Sequence, residues 1–160
     1  VVREHRIASV VEFGCGDGAQ LSLAEYPRYL GYDISPTAVA MCREKFRGDR
    51  SKAFRLVGEE PPERAELALS LDVVFHLVED AVFERYMGRL FDAAERFVIV
   101  YSSDVEKPGD APHVRHRQFT RWVARERPEW RLVRVIPNRY PYDPGDPDHT
   151  SFAEFHIFSR

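Results

Sequence analysis

The sequence predicts an α/β domain built on an open, mostly parallel sheet, and three observations support this fold class. Short strand patterns alternate with helical patterns along most of the chain. The segments 67–74 and 97–101 are almost entirely apolar, as is typical of central parallel strands that are buried on both faces. Two segments of alternating polarity, 130–136 and 152–158, then indicate a final pair of strands.

The individual elements are predicted from periodicity and from start and stop residues. Ser35 caps a helix that starts at Pro36 and ends at Gly48, and Pro27 stops an earlier short helix. Asp80 is expected to cap the next helix. The predicted strands are 7–13, 29–34, 54–57, 67–74, 97–101, 130–136 and 152–158. The predicted helices are 19–26, 36–48, 80–95 and 119–127, with a long polar loop at 102–116.

Length and composition exclude several classes of protein. The 160 residues, 44% of them hydrophobic, are enough for one domain with a substantial core. No apolar run approaches the length of a membrane span, and no signal peptide opens the chain. The two cysteines favour a reducing compartment, so we expect a cytoplasmic protein without a membrane partner. Residues 1–6 look like the tail of a helix, which indicates upstream helices or other domains of a longer polypeptide.

Charge is distributed unevenly along the chain. Residues 113–139 contain eight arginines against Glu126 and Glu129, although the whole chain has a net charge of -3. This basic segment either attracts an anionic acceptor or forms a solvated helix face with an edge hairpin. Because the domain as a whole is acidic, we expect no nucleic-acid partner.

The most informative stretch is 10–18, with the sequence VVEFGCGDG. Its first residues end a buried strand, and glycines at 14, 16 and 18 then turn the chain sharply. Such a turn exposes bare backbone at the carboxyl edge of the sheet, where open α/β sheets bind their ligands. Asp33 ends the next strand and is therefore expected at the same edge.

The stretch 10–18, followed by Tyr32 and Asp33, resembles the first two motifs of class I S-adenosylmethionine-dependent methyltransferases, and the resemblance extends over residues 10–101. It implies a Rossmann-like three-layer α/β/α sandwich with strand order 3-2-1-4-5-7-6 and an antiparallel seventh strand. It also implies S-adenosylmethionine as cofactor and S-adenosylhomocysteine as product. The sequence is similar to small bacterial members of the family, some of which are found near glycan-assembly enzymes.

The resemblance implies a set of cofactor-binding residues. Glu12 matches the acid that orders the glycine turn, Asp33 the acid that binds the ribose, and Ile34 the apolar neighbour of the adenine. Relatives place an acid after the third strand to bind the adenine amine, and here only Glu59 stands near that position. The complete set of expected cofactor contacts is Glu12, Gly14, Cys15, Gly16, Gly18, Asp33, Ile34, Glu59, Leu71 and Asp72. For Cys15, packing beneath the turn is the alternative to a ligand contact.

Transfer to oxygen or nitrogen requires loss of a proton from the acceptor, so a general base is expected. The candidates are His76, Asp104, His113 and His116. The alternatives are that His76 packs beneath the site and that the other two histidines are ordinary loop residues. The run 112–117 also offers arginines for an anionic acceptor group. No metal site is expected, because no cluster of three or more suitable ligands is apparent in the sequence.

The sequence thus favours a methyltransferase that acts on a small molecule or on a sugar of a glycan pathway. The alternative is a non-catalytic, cofactor-binding module of a larger glycan-synthesis protein. A nicotinamide-dependent oxidoreductase would share similar glycine and acid spacing. It is disfavoured because the dinucleotide motif places its last two glycines three residues apart.

Overall fold

The computed structural model describes residues 1–109 and 111–160; Asp110, within the predicted loop 102–116, lies outside the described residues. The strands of the main sheet are β1 (Val10–Phe13), β2 (Tyr29–Asp33), β3 (Lys52–Leu56), β4 (Ala65–Leu71), β5 (Ala94–Ser102), β8 (Arg131–Ile136) and β9 (Glu154–Ser159). A separate ribbon contains β6 (Lys107–Pro108) and β7 (Arg115–His116). The helices are α1 (Pro36–Lys45), α2 (Asp80–Ala93) and α3 (Phe119–Glu126).

The main sheet has the order β3-β2-β1-β4-β5-β9-β8. The first five of these strands are parallel, β9 is antiparallel to β5, and β8 is antiparallel to β9. When only the seven strands of this sheet are counted, the order is 3-2-1-4-5-7-6 with an antiparallel seventh strand. The predicted fold class and strand order are therefore confirmed.

The helices cover both faces of the sheet. On one face, α2 and α3 bury Phe91 and Trp122 against Val98 and Phe158. On the other face, α1 buries Val39 and Cys42 within a second apolar cluster. Each helix therefore buries its apolar stripe against the sheet, as a three-layer sandwich requires. Among the residues described, no helix combines the length and the apolar character needed to cross a membrane.

The predicted start of α1 is confirmed, whereas its end, at Lys45 instead of residue 48, and other boundaries differ. The Ser35 hydroxyl accepts a hydrogen bond from the Ala38 N–H at 3.2 Å, and Pro36 is the first helical residue. The predicted helix 19–26 is wrong: only a 3-10 turn, Leu21–Leu23, forms there. Gly18 and Pro27 leave eight residues between them, which is too few for a stable helix without strong packing.

Three smaller expectations at element ends are also corrected. Residues 2–6 form hydrogen-bonded turns rather than a helix tail. Strand β4 ends at Leu71 instead of residue 74, because Asp72 has a left-handed backbone with φ of 58° and breaks the extended run. Asp80 is the first residue of α2 rather than its cap, since Glu79 has the extended backbone of the N-cap position.

The crossover between β3 and β4 contains no helix. Residues 57–64 run from the carboxyl end of β3 to the start of β4 as irregular chain with a bend at residues 59 and 60. Right-handed crossovers in such sheets are usually helical. Without a helix there, the face of α2 that carries Val82, Arg85 and Arg89 borders a pocket rather than a packed neighbour.

Candidate functional site

A pocket of about 720 Å³ opens at the carboxyl edge of the sheet. Its walls come from the ends of β1 and β2, from the residues that follow β4, from residues 57–59 and from one face of α2. This is the switch point beside the first strand at which open α/β sheets bind ligands. Six of the residues predicted from the sequence line it: Gly14, Asp33, Ile34, Glu59, Asp72 and His76.

The glycine turn has left-handed backbone at each of its glycines, with φ of 83° at Gly14, 55° at Gly16 and 72° at Gly18. A Cβ on Gly14 would lie 2.4 Å from Cγ2 of Val73, and one on Gly18 would lie 2.7 Å from the ring of Phe46. Two independent reasons therefore require glycine at both Gly14 and Gly18: the left-handed backbone conformation and the lack of space for a Cβ.

Asp33 connects the glycine turn to the start of α1. One carboxylate oxygen accepts a hydrogen bond from the Gly16 N–H at 2.9 Å, and the other accepts from the Ser35 N–H at 2.8 Å. Each oxygen of an ionised carboxylate can accept two hydrogen bonds. Asp33 therefore retains acceptor capacity for a donor in the pocket that it lines. Beside it, the Ile34 side chain is 83% exposed, an apolar surface that a ligand ring would cover.

Asp72 also lines the pocket, and its backbone is strained. Its φ of 58° is rare for a residue other than glycine, and such strain often occurs at functional sites. Burial raises the pKa of its carboxyl, which accepts a hydrogen bond from the Gln20 side chain at 3.3 Å. The neighbouring candidate Leu71 does not line the pocket.

Glu12 and Cys15 lie beneath the turn rather than in the pocket. Glu12 is 5% exposed, and its carboxylate accepts a hydrogen bond from the Tyr29 hydroxyl at 2.5 Å. Burial raises the pKa of Glu12 to about 7. Burial also raises the pKa of the Cys15 thiol, which packs under Gly31. Neither side chain lines the pocket, and Gly16 and Gly18 are likewise outside its lining.

Of the four candidate bases, His76 lines the pocket. Its Nδ1 lies 3.3 Å from the carbonyl oxygen of His113, and the two rings stack with centroids 5.9 Å apart. Because a carbonyl can only accept a hydrogen bond, this contact places the proton on Nδ1 of the neutral ring. The Nε2 atom then keeps a free lone pair.

The other candidate bases, Asp104, His113 and His116, lie outside the pocket lining. Asp104 accepts hydrogen bonds from the Thr120 N–H at 3.0 Å and from its hydroxyl at 2.6 Å, and so holds the first turn of α3. His116 Nδ1 lies 2.6 Å from the Ser103 hydroxyl. Neither these two residues nor His113 lines the pocket. Within residues 1–109 and 111–160, no group of three or more histidine, cysteine or acidic side chains could hold a metal ion.

The arginines of the run 112–117 are engaged by the protein itself. Arg117 is 6% exposed and donates to the carbonyl oxygens of Leu77 and Val78 and to the Asp80 carboxylate. Arg115 forms ion pairs with Asp80 and Glu106. These guanidinium groups therefore hold the long loop against the turn that carries His76, and binding of an anionic acceptor by this run stays one of the two alternatives from the sequence.

Sequence reasoning missed four pocket residues on α2: Val82, Arg85, Tyr86 and Arg89. The Tyr86 hydroxyl donates to the Phe13 carbonyl oxygen at 3.0 Å and lies 2.7 Å from the Ser70 hydroxyl, so it forms the floor below the glycine turn. Helical spacing could have grouped these residues on one face. It could not show that the face borders a pocket.

Comparisons with known proteins bear on this site. The model of a family described as "Methyltransferase domain" matches residues 11–99. A search of curated proteins finds no match.

Several solved structures have the same fold as this chain. The methyltransferase domain of bacterial CtHen1 has a TM-score of 0.75 and 16% identity, with 99% of this chain and 93% of that chain covered. Magnesium protoporphyrin IX methyltransferase from Synechocystis PCC 6803, crystallised with bound SAH, has a TM-score of 0.68 and 17% identity, with coverages of 94% and 73%. The N-methyltransferase NodS from Bradyrhizobium japonicum WM9 has a TM-score of 0.72 and 14% identity, with coverages of 96% and 86%.

Replacing Gly14 by alanine tests the requirement for space at the turn. Gly48 has a similar φ of 90°, but a Cβ there meets no atom within 4 Å. We expect Gly48→Ala to cost about 1–2 kcal/mol of unfolding free energy from backbone strain alone. Gly14→Ala is expected to cost a further ~1–3 kcal/mol because Val73 must move. Urea denaturation of both variants measures the difference, and equal losses would contradict the proposed clash.

Replacing Glu12 by glutamine tests the buried acid. Its folded-state pKa of about 7 lies above its ordinary value of 4.5, so the folded state holds the proton more tightly than the unfolded chain. The stability contributed by the protonated acid is present below pH 4.5 and is lost as the pH rises through 7. Relative to Glu12→Gln, the unfolding free energy of the wild type should fall by about 3 kcal/mol over this range. Parallel pH profiles in urea denaturation would contradict this expectation.

Proposed function

The chain belongs to the family of methyltransferase domains, and from that premise we propose that it transfers a methyl group from S-adenosylmethionine to a small acceptor. The observation that carries the proposal is the pocket at the carboxyl edge. There, the glycine turn, a carboxylate with spare acceptor capacity and an uncovered apolar side chain border one space of about 720 Å³.

The residues of this pocket fit the chemistry of the cofactor. Asp33 can accept hydrogen bonds from ribose hydroxyls through the lone pairs that Gly16 and Ser35 leave free. Ile34 and Val57, which are 83% and 37% exposed, offer apolar surfaces for the adenine ring. Glu59 offers an acceptor for its amine, and Asp72 offers a negative charge for the ammonium group of the methionine portion.

Glu12 supports the pocket from below in this proposal. Its carboxylate is bonded to Tyr29 and buried, so it stabilises the strand that leads into the glycine turn without touching the ligand. Cys15, Gly16 and Gly18 shape the turn in the same indirect way. The direct contacts therefore come from the side chains and backbone that line the pocket.

When bound, S-adenosylmethionine supplies a methyl group that its sulfonium already activates. The protein's main task is then to hold the acceptor in line with that group. His76 would take the acceptor's proton at Nε2, since the His113 carbonyl keeps the proton of the neutral ring on Nδ1. Arg117 holds the two carbonyl groups that follow His76, at Leu77 and Val78, and so steadies the base.

The acceptor that we propose is a small molecule with an anionic group. Arg85 lines the pocket and has no hydrogen-bond or ion-pair partner among the described residues, so its guanidinium is available for a carboxylate or phosphate. The expected connection with glycan assembly has no support in the comparisons. Cytoplasmic location, a bacterial source, the absence of a nucleic-acid partner and association with other domains stay predictions.

Replacing Asp33 by alanine tests the cofactor site. In isothermal titration calorimetry, the wild type should bind S-adenosylhomocysteine and not NAD. Asp33→Ala should weaken S-adenosylhomocysteine binding by roughly 10- to 100-fold, about 1.4–3 kcal/mol, as expected for loss of charge-assisted hydrogen bonds. Asp49→Ala is the matched control. Asp49 also accepts from the backbone N–H two residues ahead, at 2.9 Å, but it is outside the pocket. Binding of NAD alone, or equal affinities in the two variants, would refute the proposal.

Replacing His76 by asparagine tests for catalysis and separates an enzyme from a non-catalytic binding module. The assay follows transfer of labelled methyl from S-adenosylmethionine into fractions of a cell extract that contain anionic small molecules. In fractions labelled by the wild type, His76→Asn should lower the rate roughly 10²- to 10⁴-fold while S-adenosylhomocysteine affinity stays within about twofold. An unchanged rate would remove His76 as the base.

A further inference from the structure

Residues 57–59 form one wall of the pocket although they have no regular structure. Val57, Gly58 and Glu59 line the pocket, and these residues are exposed. Next to the sheet, the Val57 N–H donates to the Asp33 carbonyl oxygen at 2.9 Å. Gly58 and Glu59 lie past this hydrogen bond in exposed, irregular chain, so they need a further contact to keep a defined position.

Arg89 supplies that support from α2. Its two terminal nitrogens donate to the carbonyl oxygens of Gly58, at 2.6 Å, and Glu60, at 2.8 Å. A guanidinium group is a planar fork of donors, so one side chain can hold two carbonyl groups in a fixed relation. The Nε of Arg89 is buried without a partner among the described residues. The side chain therefore leaves one buried N–H donor without a hydrogen bond while it holds both carbonyl groups.

We propose that Arg89 positions residues 57–59, the wall of the pocket whose Glu59 would bind the adenine amine, and this inference rests on the proposed function. The carbonyl groups that Arg89 holds flank Glu59 on both sides, so its contacts fix the backbone of this pocket residue. Arg89 thus acts through Glu59 and sets specificity for a base that carries an exocyclic amine.

The test compares two ligands that differ at that amine and at the neighbouring N1, which is unprotonated in adenine and carries a proton in hypoxanthine. S-adenosylhomocysteine carries the 6-amino group, and S-inosylhomocysteine carries an oxo group at the same position. In the wild type, the Glu59 carboxylate should repel the 6-oxo group and lose the amine that donates to it. The inosyl compound should therefore bind roughly 10-fold or more weakly. Isothermal titration of both ligands gives this ratio, which is independent of any general loss of folded protein.

We expect Arg89→Met to lower affinity for S-adenosylhomocysteine about 10-fold and affinity for S-inosylhomocysteine less than about threefold, so that discrimination is nearly lost. Arg89→Lys should restore part of the ratio, because an ammonium group can hold one of the two carbonyls. The control is Arg127→Met. Arg127 resembles Arg89 in that it donates to a backbone carbonyl oxygen, that of Gly88, and has a buried Nε without a partner among the described residues. It differs in that it lies outside the pocket. This variant should keep the wild-type ratio.

The outcomes separate the two proposals. If the wild type binds neither ligand, the proposed function fails. If the wild type binds S-adenosylhomocysteine without discriminating between the ligands, or if Arg89→Met keeps the full ratio, the inference about Arg89 fails while the function stands. An equal loss of affinity for both ligands in Arg89→Met would also overturn the inference about Arg89, since a residue with a merely structural role would have that effect.

Discussion

The carboxylate of Asp33 is the contact on which the site depends. It joins two pieces of chain, the glycine turn after β1 and the start of α1 after β2, through one backbone N–H from each. Parallel pairing of β1 with β2 brings these pieces to the same edge. The left-handed glycines make the close approach possible, and the carboxylate holds it. The rest of the pocket is arranged around this junction.

Several charged side chains near this edge support the structure rather than line the pocket. Arg117 and Arg115 bind Asp80, and Asp104 holds α3. Burial favours this arrangement, because a half-buried charge needs partners, and the nearest ones are carbonyl groups and opposite charges of the protein. The same interactions hold in place the turn that carries His76. The supporting charges thus make the few pocket-facing groups well defined.

The helix-free crossover from β3 to β4 gives the pocket its form. No helix forms in this crossover, and the part of α2 that carries Arg85 and Arg89 lines the pocket. Without it, α2 supplies a wall of the pocket and Arg89 reaches the chain that replaces the helix. One local change in connectivity therefore couples the shape of the pocket to a residue on a neighbouring element.

The sequence by itself determined the fold class, the glycine turn and the capped start of α1, and the resemblance of its motifs to a known family supplied the strand order. These features depend on near neighbours in the chain, such as Ser35 and Pro36, or on apolar patterns that burial enforces. Tertiary structure alone decided that Glu12 is bonded to Tyr29, that Arg117 binds carbonyl groups and that Arg89 holds residues 58 and 60. The reason is physical: these contacts join residues 17 to 40 positions apart, and only packing decides which polar groups meet and which stay free.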